Sequence, residues 1–306
     1  MLLLQSIFII LDGGKLCRRL SADFTAKPFD AVMSECKEII KKFYSCFPLL
    51  YQMAVLFISH SANVLAEHHD ELLKEAKTLC GRIVLEGGNS LLVRDALYAQ
   101  CLCCIMLETP DEVFGLLGES FSTPEITEDS LISKAFQLVG NTAKAKEVSQ
   151  CGMYHYLTCL IETTLQYVAL TADNFDTART AFERAMALIR LYEVDRLNAN
   201  TAGRAYLYGA NVFCRHGHAD KALELLEKYA DLCLSVFLPF KLRGDSFFTD
   251  IDEWLGSGEL GSTIIFAEKM IKRNMLNGLN EVMEPFAAIQ DEPRYKSIIR
   301  RITDNE

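Results

Sequence analysis

Apolar residues recur every three to four positions along almost the whole chain, and no sustained run alternates polar with apolar. That period is the helical one. It predicts helices near 1–11, 28–44, 48–66, 69–86, 90–107 and 110–120. After a break at Ser122-Thr123-Pro124 come 128–139, 143–171, 174–192, 199–216 and 218–235, then shorter helices near 247–255, 263–276, 278–289 and 292–302. Several ends have a local cause. Gly87-Gly88 stops one helix and Asn89-Ser90 caps the next. At Thr109-Pro110-Asp111-Glu112, Thr takes the cap, Pro the first helical position and acids the first turn, where the helix dipole favours negative charge.

Two stretches say how these helices pack. Ala178-x3-Phe182-x2-Ala185 is followed 44 residues later by Ala222-x3-Leu226-x2-Tyr229-Ala230. Small residues at these offsets let helices approach closely, and the large residue one turn on fills the space between them. Gly217 lies five residues before the second stretch, and Tyr206 and Phe213 stand where a tetratricopeptide (TPR) hairpin puts its bulky residues. The pattern predicts an all-α fold, a right-handed superhelical array of antiparallel helical hairpins of TPR-like type. The spacing exceeds the regular period of about 34 residues, and an extension from Tyr192 to Thr201 accounts for the excess. Length alone suggests about two domains. A solenoid escapes that rule, so one array over 1–306 is expected: N-terminal hairpins at 1–120, central TPR-like hairpins at 126–235 and capping helices at 245–306.

Composition narrows the functional classes. With 31 basic against 41 acidic residues the formal charge is −10, which repels phosphate and argues against nucleic-acid contact. The basic stretch Lys269 to Arg301 has no aromatic platform and reads as solvated helix faces. Eleven cysteines, irregularly spaced inside apolar runs, read as reduced core packing in a cytoplasmic protein. The apolar run Met1 to Leu11 lacks preceding basic residues and is too short to cross a bilayer, so neither a signal peptide nor a membrane partner is expected.

Candidate chemistry is sparse. There is no GxSxG elbow, P-loop, HExxH or GxGxxG after a strand, so a non-catalytic protein without cofactor or metal is expected. If 203–235 is a TPR-like hairpin, its first helix presents Arg204, Leu207, Asn211, Cys214 and Arg215 along or beside the inner face. An Asn amide donates to and accepts from a peptide backbone at once, and a neighbouring Arg holds a carboxylate. The other reading gives Asn211 an internal network and leaves the arginines solvated. His60 and Asn63, about one turn apart, are further candidates for lining a groove of an earlier hairpin. His68-His69 and the His216/His218 pair fall at helix junctions, where capping is the expected role. Asp245, Asp250, Asp252 and Glu253, around Phe247, Phe248 and Trp254, lack calcium-loop spacing and read as helix capping, with the aromatics sealing the end of the array.

Three segments read together are similar to a known family: Phe47 to Leu56 with Asp95 to Leu102 and Pro110 to Phe114; the TPR-like pair at 178–185 and 206–230; and Arg243 to Leu255 with Asp291 to Arg300. Together they resemble the C-terminal helical region of XRE-family helix-turn-helix transcriptional regulators of Gram-positive bacteria. The resemblance implies a sensor and assembly module that binds a short peptide or small effector in a concave groove and forms a homodimer through terminal helices. The chain shows no basic helix-turn-helix ahead of this region, so DNA binding is not expected of these residues. A stand-alone protein-interaction scaffold is the alternative.

Overall fold

The computed structural model describes residues 15–120, 126–235, 242–256 and 286–303. Among them every regular element is a helix. In chain order these are α1 (15–26), α2 (Phe29–Lys42), α3 (Phe47–Ser61), α4 (Ala66–Glu86), α5 (Ser90–Met106) and α6 (Pro110–Leu117). Then come α7 (Glu128–Leu138), α8 (Thr142–Leu170), α9 (Phe175–Leu191), α10 (Val194–Leu197), α11 (Ala199–Arg215), α12 (Ala219–Ser235), α13 (Asp252–Gly256) and α14 (Pro293–Thr303). The helices expected at 1–11, at 263–276 and over most of 278–289 lie outside the described residues, as do Lys269, Lys272 and Arg273. None of the described helices is long and apolar enough to cross a membrane.

The chain gathers into two compact units, α1–α6 and α7–α14. Each has its own apolar core. In the first unit, short connections make α3, α4 and α5 successive neighbours. Their facing sides bury Leu50, Met53, Phe57, Leu72, Leu73 and Ile83 completely. The expected cap at Asn89 is present, its Oδ1 accepting from the backbone N–H of Leu91 and Leu92. Thr109 begins α6 without capping it; its hydroxyl donates to the Cys104 carbonyl instead.

One element of this unit was not expected. Helix α1 occupies 15–26, a stretch for which no helix was predicted. Its signal is Leu16, Leu20 and Phe24 at four-residue spacing, and Leu20 is fully buried.

The second unit is built from pairs α7/α8, α8/α9 and α11/α12, with α11 also packing on α8 and α9. Here the small-and-large pattern does its work. Ala178, Ala185, Ala222, Leu226 and Ala230 have no exposed surface, and Phe182 and Tyr229 are buried beside them. The Phe182 ring lies so close over Gly209 that any Cβ there would collide with it, and it meets Phe213 edge-on at 5.8 Å. The expected extension between Tyr192 and Thr201 contains the single turn α10, anchored by buried Val194 and Leu197. Helix α14 lies along α12, where Arg294 donates two hydrogen bonds to Glu227, at 2.9 and 3.0 Å, and Arg301 donates to Asp231 at 2.6 Å. Arg294 and Arg301 of the C-terminal stretch thus offset acids of α12, while Lys296 pairs with Asp291.

The helix expected over 247–255 is only Asp252–Gly256. Upstream of it the backbone is held in a turn by side chains. Asp245 Oδ1 accepts from the N–H of Phe247 and Phe248, and Asp252 Oδ1 accepts from Gly244 N–H. Carboxylates that bond nearby amides in this way compete with helix formation. Gln150 of α8 clamps the turn from outside, donating to the Phe247 carbonyl and accepting from Asp250 N–H. This seats Phe248 in the core, edge-on to Tyr154 at 5.8 Å, while Phe247 stays half exposed.

Candidate functional site

Helix α11 is the element on which the sequence-predicted residues of the second unit converge. It starts at Asn198, whose side chain accepts from Thr201 N–H. It ends at Gly217, where φ is +77°. There the N–H of His218 reaches back to the Phe213 carbonyl at 2.8 Å and that of Gly217 to Cys214 at 3.0 Å. This left-handed closure is the kind glycine makes without strain. Three sides of the helix are spent on packing, with Gly203 against Tyr229, Gly209 against Phe182, and Ala202, Ala205 and Ala210 fully buried.

What remains outside includes one stripe, Arg204, Tyr208, Asn211 and Arg215, at spacings of four, three and four, with exposed Asn200 one turn before it and half-buried Tyr206 off its line. Arg204 and Arg215 are exposed, and Tyr208 and Asn211 are half-buried. The expected placement of Leu207 and Cys214 is corrected: both are buried, because they point across the helix into the core.

Each arginine has an acid beside it. Arg204 Nη1 is 2.8 Å from Glu162 Oε2 on α8, and Thr201 Oγ1 donates to the other oxygen of the same carboxylate at 2.9 Å. The Arg204 guanidinium also sits 5.9 Å from the centre of the Tyr208 ring. Arg215 Nη1 is 3.2 Å from Asp173, whose side chain is 97% exposed. Exposed pairs of this kind contribute roughly 0–1 kcal/mol, so an incoming carboxylate can replace Asp173 at little cost. The Asn211 amide makes no hydrogen bond with any described residue. The two arginines are eleven residues apart, about 16 Å along the axis, which is the reach of roughly five residues of extended peptide. Tyr208 and the acids Glu162 and Asp173 were not foreseen. Tyr208 shares the stripe's spacing, whereas the acids come from another helix and its following turn.

The candidates in the first unit are placed differently. His60 is 1% exposed. Its Nε2 lies 2.9 Å from Ser21 Oγ and its ring stacks on Phe24 at 4.7 Å. Burial pushes its pKa down to about 4. The expectation that His60 lines a groove is therefore corrected: it is a neutral core histidine. Asn63, one turn on, is half-buried, with Nδ2 3.5 Å from the Ser59 carbonyl and Oδ1 buried without a partner.

Four of the remaining five histidines act at helix junctions, and the fifth, His155, lies within α8 beside Cys159. His69 Nδ1 donates to the Ser61 carbonyl and His216 Nε2 to that of Ala172, at 3.0 and 2.7 Å. His68 and His218 stack on Phe29 and Phe175. All eleven cysteines are free thiols, eight of them buried. Burial pushes Cys36, Cys80, Cys103 and Cys233 up to about 12, so these stay protonated and unreactive at neutral pH. Among the described residues no three His, Cys, Asp or Glu side chains are grouped to hold a metal ion. Comparison of the chain with protein-family models, with curated proteins and with solved structures finds no match.

Proposed function

We propose that the second unit is a TPR-like hairpin module that binds a short peptide along the outer stripe of α11, without catalysis. The observation that carries this reading is the Asn211 amide, unbonded within the described residues and flanked on one helical face by two exposed arginines. An amide in that position can pair with both the N–H and the C=O of one peptide unit, and so fix its register. Arg215, paired with the freely solvated Asp173, is suited to a terminal or side-chain carboxylate. Arg204 is steadier, held by Glu162 and the Tyr208 ring.

In the setting that the resemblance to XRE-family regulators suggests, this contact would sense a signalling peptide. In a stand-alone scaffold it would tether a partner protein's tail. Both use the same stripe.

Purification of the chain from cells, followed by mass spectrometry of eluted peptides, identifies the occupant. Titration of that peptide, made synthetically, then tests the stripe. Asn211→Ala is expected to weaken binding by about 1–3 kcal/mol, the cost of leaving a peptide group unpaired. Equal affinity in a variant with an unchanged circular dichroism spectrum, or no peptide in the eluate, rejects the reading.

A further inference from the structure

Helix α8 carries two apolar stripes where a surface helix ordinarily has one. The first, Tyr154, Leu157, Ile161, Leu165 and Val168, is buried in the core of the second unit. The second is Met153, Tyr156, Leu160, Thr163, Tyr167 and Leu170, at spacings of three, four, three, four and three. These are the offsets of a two-helix seam. It faces solvent: its five large side chains are between 44% and 78% exposed. Helix α7 flanks only the N-terminal end of this stripe, where Asp129 accepts a hydrogen bond from the Tyr156 hydroxyl. Beyond that point Leu160, Thr163 and Tyr167 border an open groove of about 1080 Å³, with Leu188 and Leu191 of α9 on its other side.

Two features select the occupant. First, from Val148 to Leu170 the only formally charged residue is Glu162. It is turned to the opposite face and held by Arg204 and Thr201. The stripe itself is therefore uncharged, even though the chain as a whole is acidic; the charges beside it are Asp129 at its N-terminal end and Asp176 and Arg184 on the α9 side of the groove. Second, the stripe reads as its own complement when reversed. Turned end for end about a point between Ile161 and Glu162, Met153 falls opposite Leu170, Tyr156 opposite Tyr167 and Leu160 opposite Thr163. Every layer then pairs members of the same set. An isologous two-fold contact requires this of a surface, and an unrelated partner does not.

We propose that α8 packs antiparallel against α8 of a second copy of this chain, seam to seam, across a two-fold axis at its midpoint. The contact is separate from the peptide stripe on α11 and stands whether or not that stripe binds a peptide. The two Tyr156–Tyr167 layers give aromatic pairs at either side of the axis. Leu188 and Leu191 of α9 widen the contact toward the roughly 800 Å² per partner of a stable interface. This places the dimer contact on the longest helix of the second unit, away from the terminal helices expected from sequence.

Sedimentation equilibrium of the native chain and two single variants tests the proposal. The native chain is expected to sediment as a dimer at about 100 µM, a concentration that reveals even a modest affinity. Leu160→Lys and Thr163→Glu each place unpaired charges at the axis, and each should weaken self-association by about 100-fold. Both positions are exposed in the single chain, so circular dichroism of the variants should match the native spectrum. Mixed together, the two variants should form a heterodimer, because antiparallel pairing sets the new lysine of one against the new glutamate of the other. A parallel pairing would set position 160 against 160 and give no such recovery. A native chain that stays monomeric, and so keeps this face for some other partner, overturns the proposal. So does a dimer indifferent to both substitutions, or a mixture that fails to pair.

Discussion

The two units close their cores by different means. In the first, a histidine and a serine bond each other inside the core, and four thiols (Cys17, Cys36, Cys80 and Cys103) fill gaps between leucines. In the second, Gly and Ala on one helix receive Phe or Tyr from the next, as at Gly209 with Phe182 and Gly203 with Tyr229. The first arrangement depends on a protonation state, the second on shape. The units should therefore fail under different insults. Trp254, the only tryptophan, packs edge-on to Tyr154 at 6.0 Å and reports on the second unit alone.

The strongest break of the comparison is Phe182→Ala. It empties the space that Gly209 and Phe213 shape around the ring, and large-to-small changes of this type cost about 3–5 kcal/mol. Urea titration followed by Trp254 fluorescence should show the loss, while hydrogen exchange in α3 and α4 keeps its native protection. Equal loss in both places would mean that the two cores unfold as one.

Acid should do the reverse. The His60 ring takes up a proton only near pH 4 in the folded chain, against about 6.5 when unfolded. Between those values the unfolded state binds more protons, so stability falls as the pH is lowered through this window. The loss approaches about 3 kcal/mol at its lower edge, and it belongs to the unit holding α1 and α3. Exchange protection of α3 against urea, compared at pH 7 and pH 4.5, should drop while the Trp254 midpoint moves much less. An unchanged α3 would mean that His60 is reached by solvent or paired with an acid.

How much of this was legible in the sequence follows the range of the contacts. Helices α2–α9, α11 and α12 follow from their own periodicity and caps. The stripe of Arg204, Asn211 and Arg215 follows from spacing on one helix. What failed depended on distant partners. The burial of His60 rests on Ser21, 39 residues away, on a helix that the periodicity did not predict. The turn before Asp252 is fixed by Gln150, about a hundred residues upstream. The second stripe of α8 was present in the residues all along. Yet a helix apolar on two sides reads as a buried one, and only exposure separates the face that is packed from the face that is free.

A finer contrast lies at single backbone positions, and it runs between individual helix ends, since each unit has a left-handed glycine and a left-handed glutamate (Gly118 and Glu108 in the first, Gly140, Gly217 and Glu193 in the second). Helices α7 and α11 both close on a left-handed glycine, Gly140 at φ +81° and Gly217 at φ +77°. Helix α5 closes with the same pair of hydrogen bonds, Thr109 N–H to the Cys104 carbonyl and Glu108 N–H to Ile105, but its left-handed residue is Glu108, at φ +56°. A side chain there brings Cβ against the carbonyl oxygen, at a cost of roughly 1 kcal/mol. Glu108→Gly is therefore expected to stabilise the first unit by a little under 1 kcal/mol, since glycine also gains freedom in the unfolded chain. Gly217→Ala should destabilise the second unit by about 1 kcal/mol through the same geometry. Opposite signs in the two urea titrations would show that the closures are equivalent and differ only in residue. A destabilising Glu108→Gly would show instead that the glutamate side chain contributes more to α5 than its backbone costs.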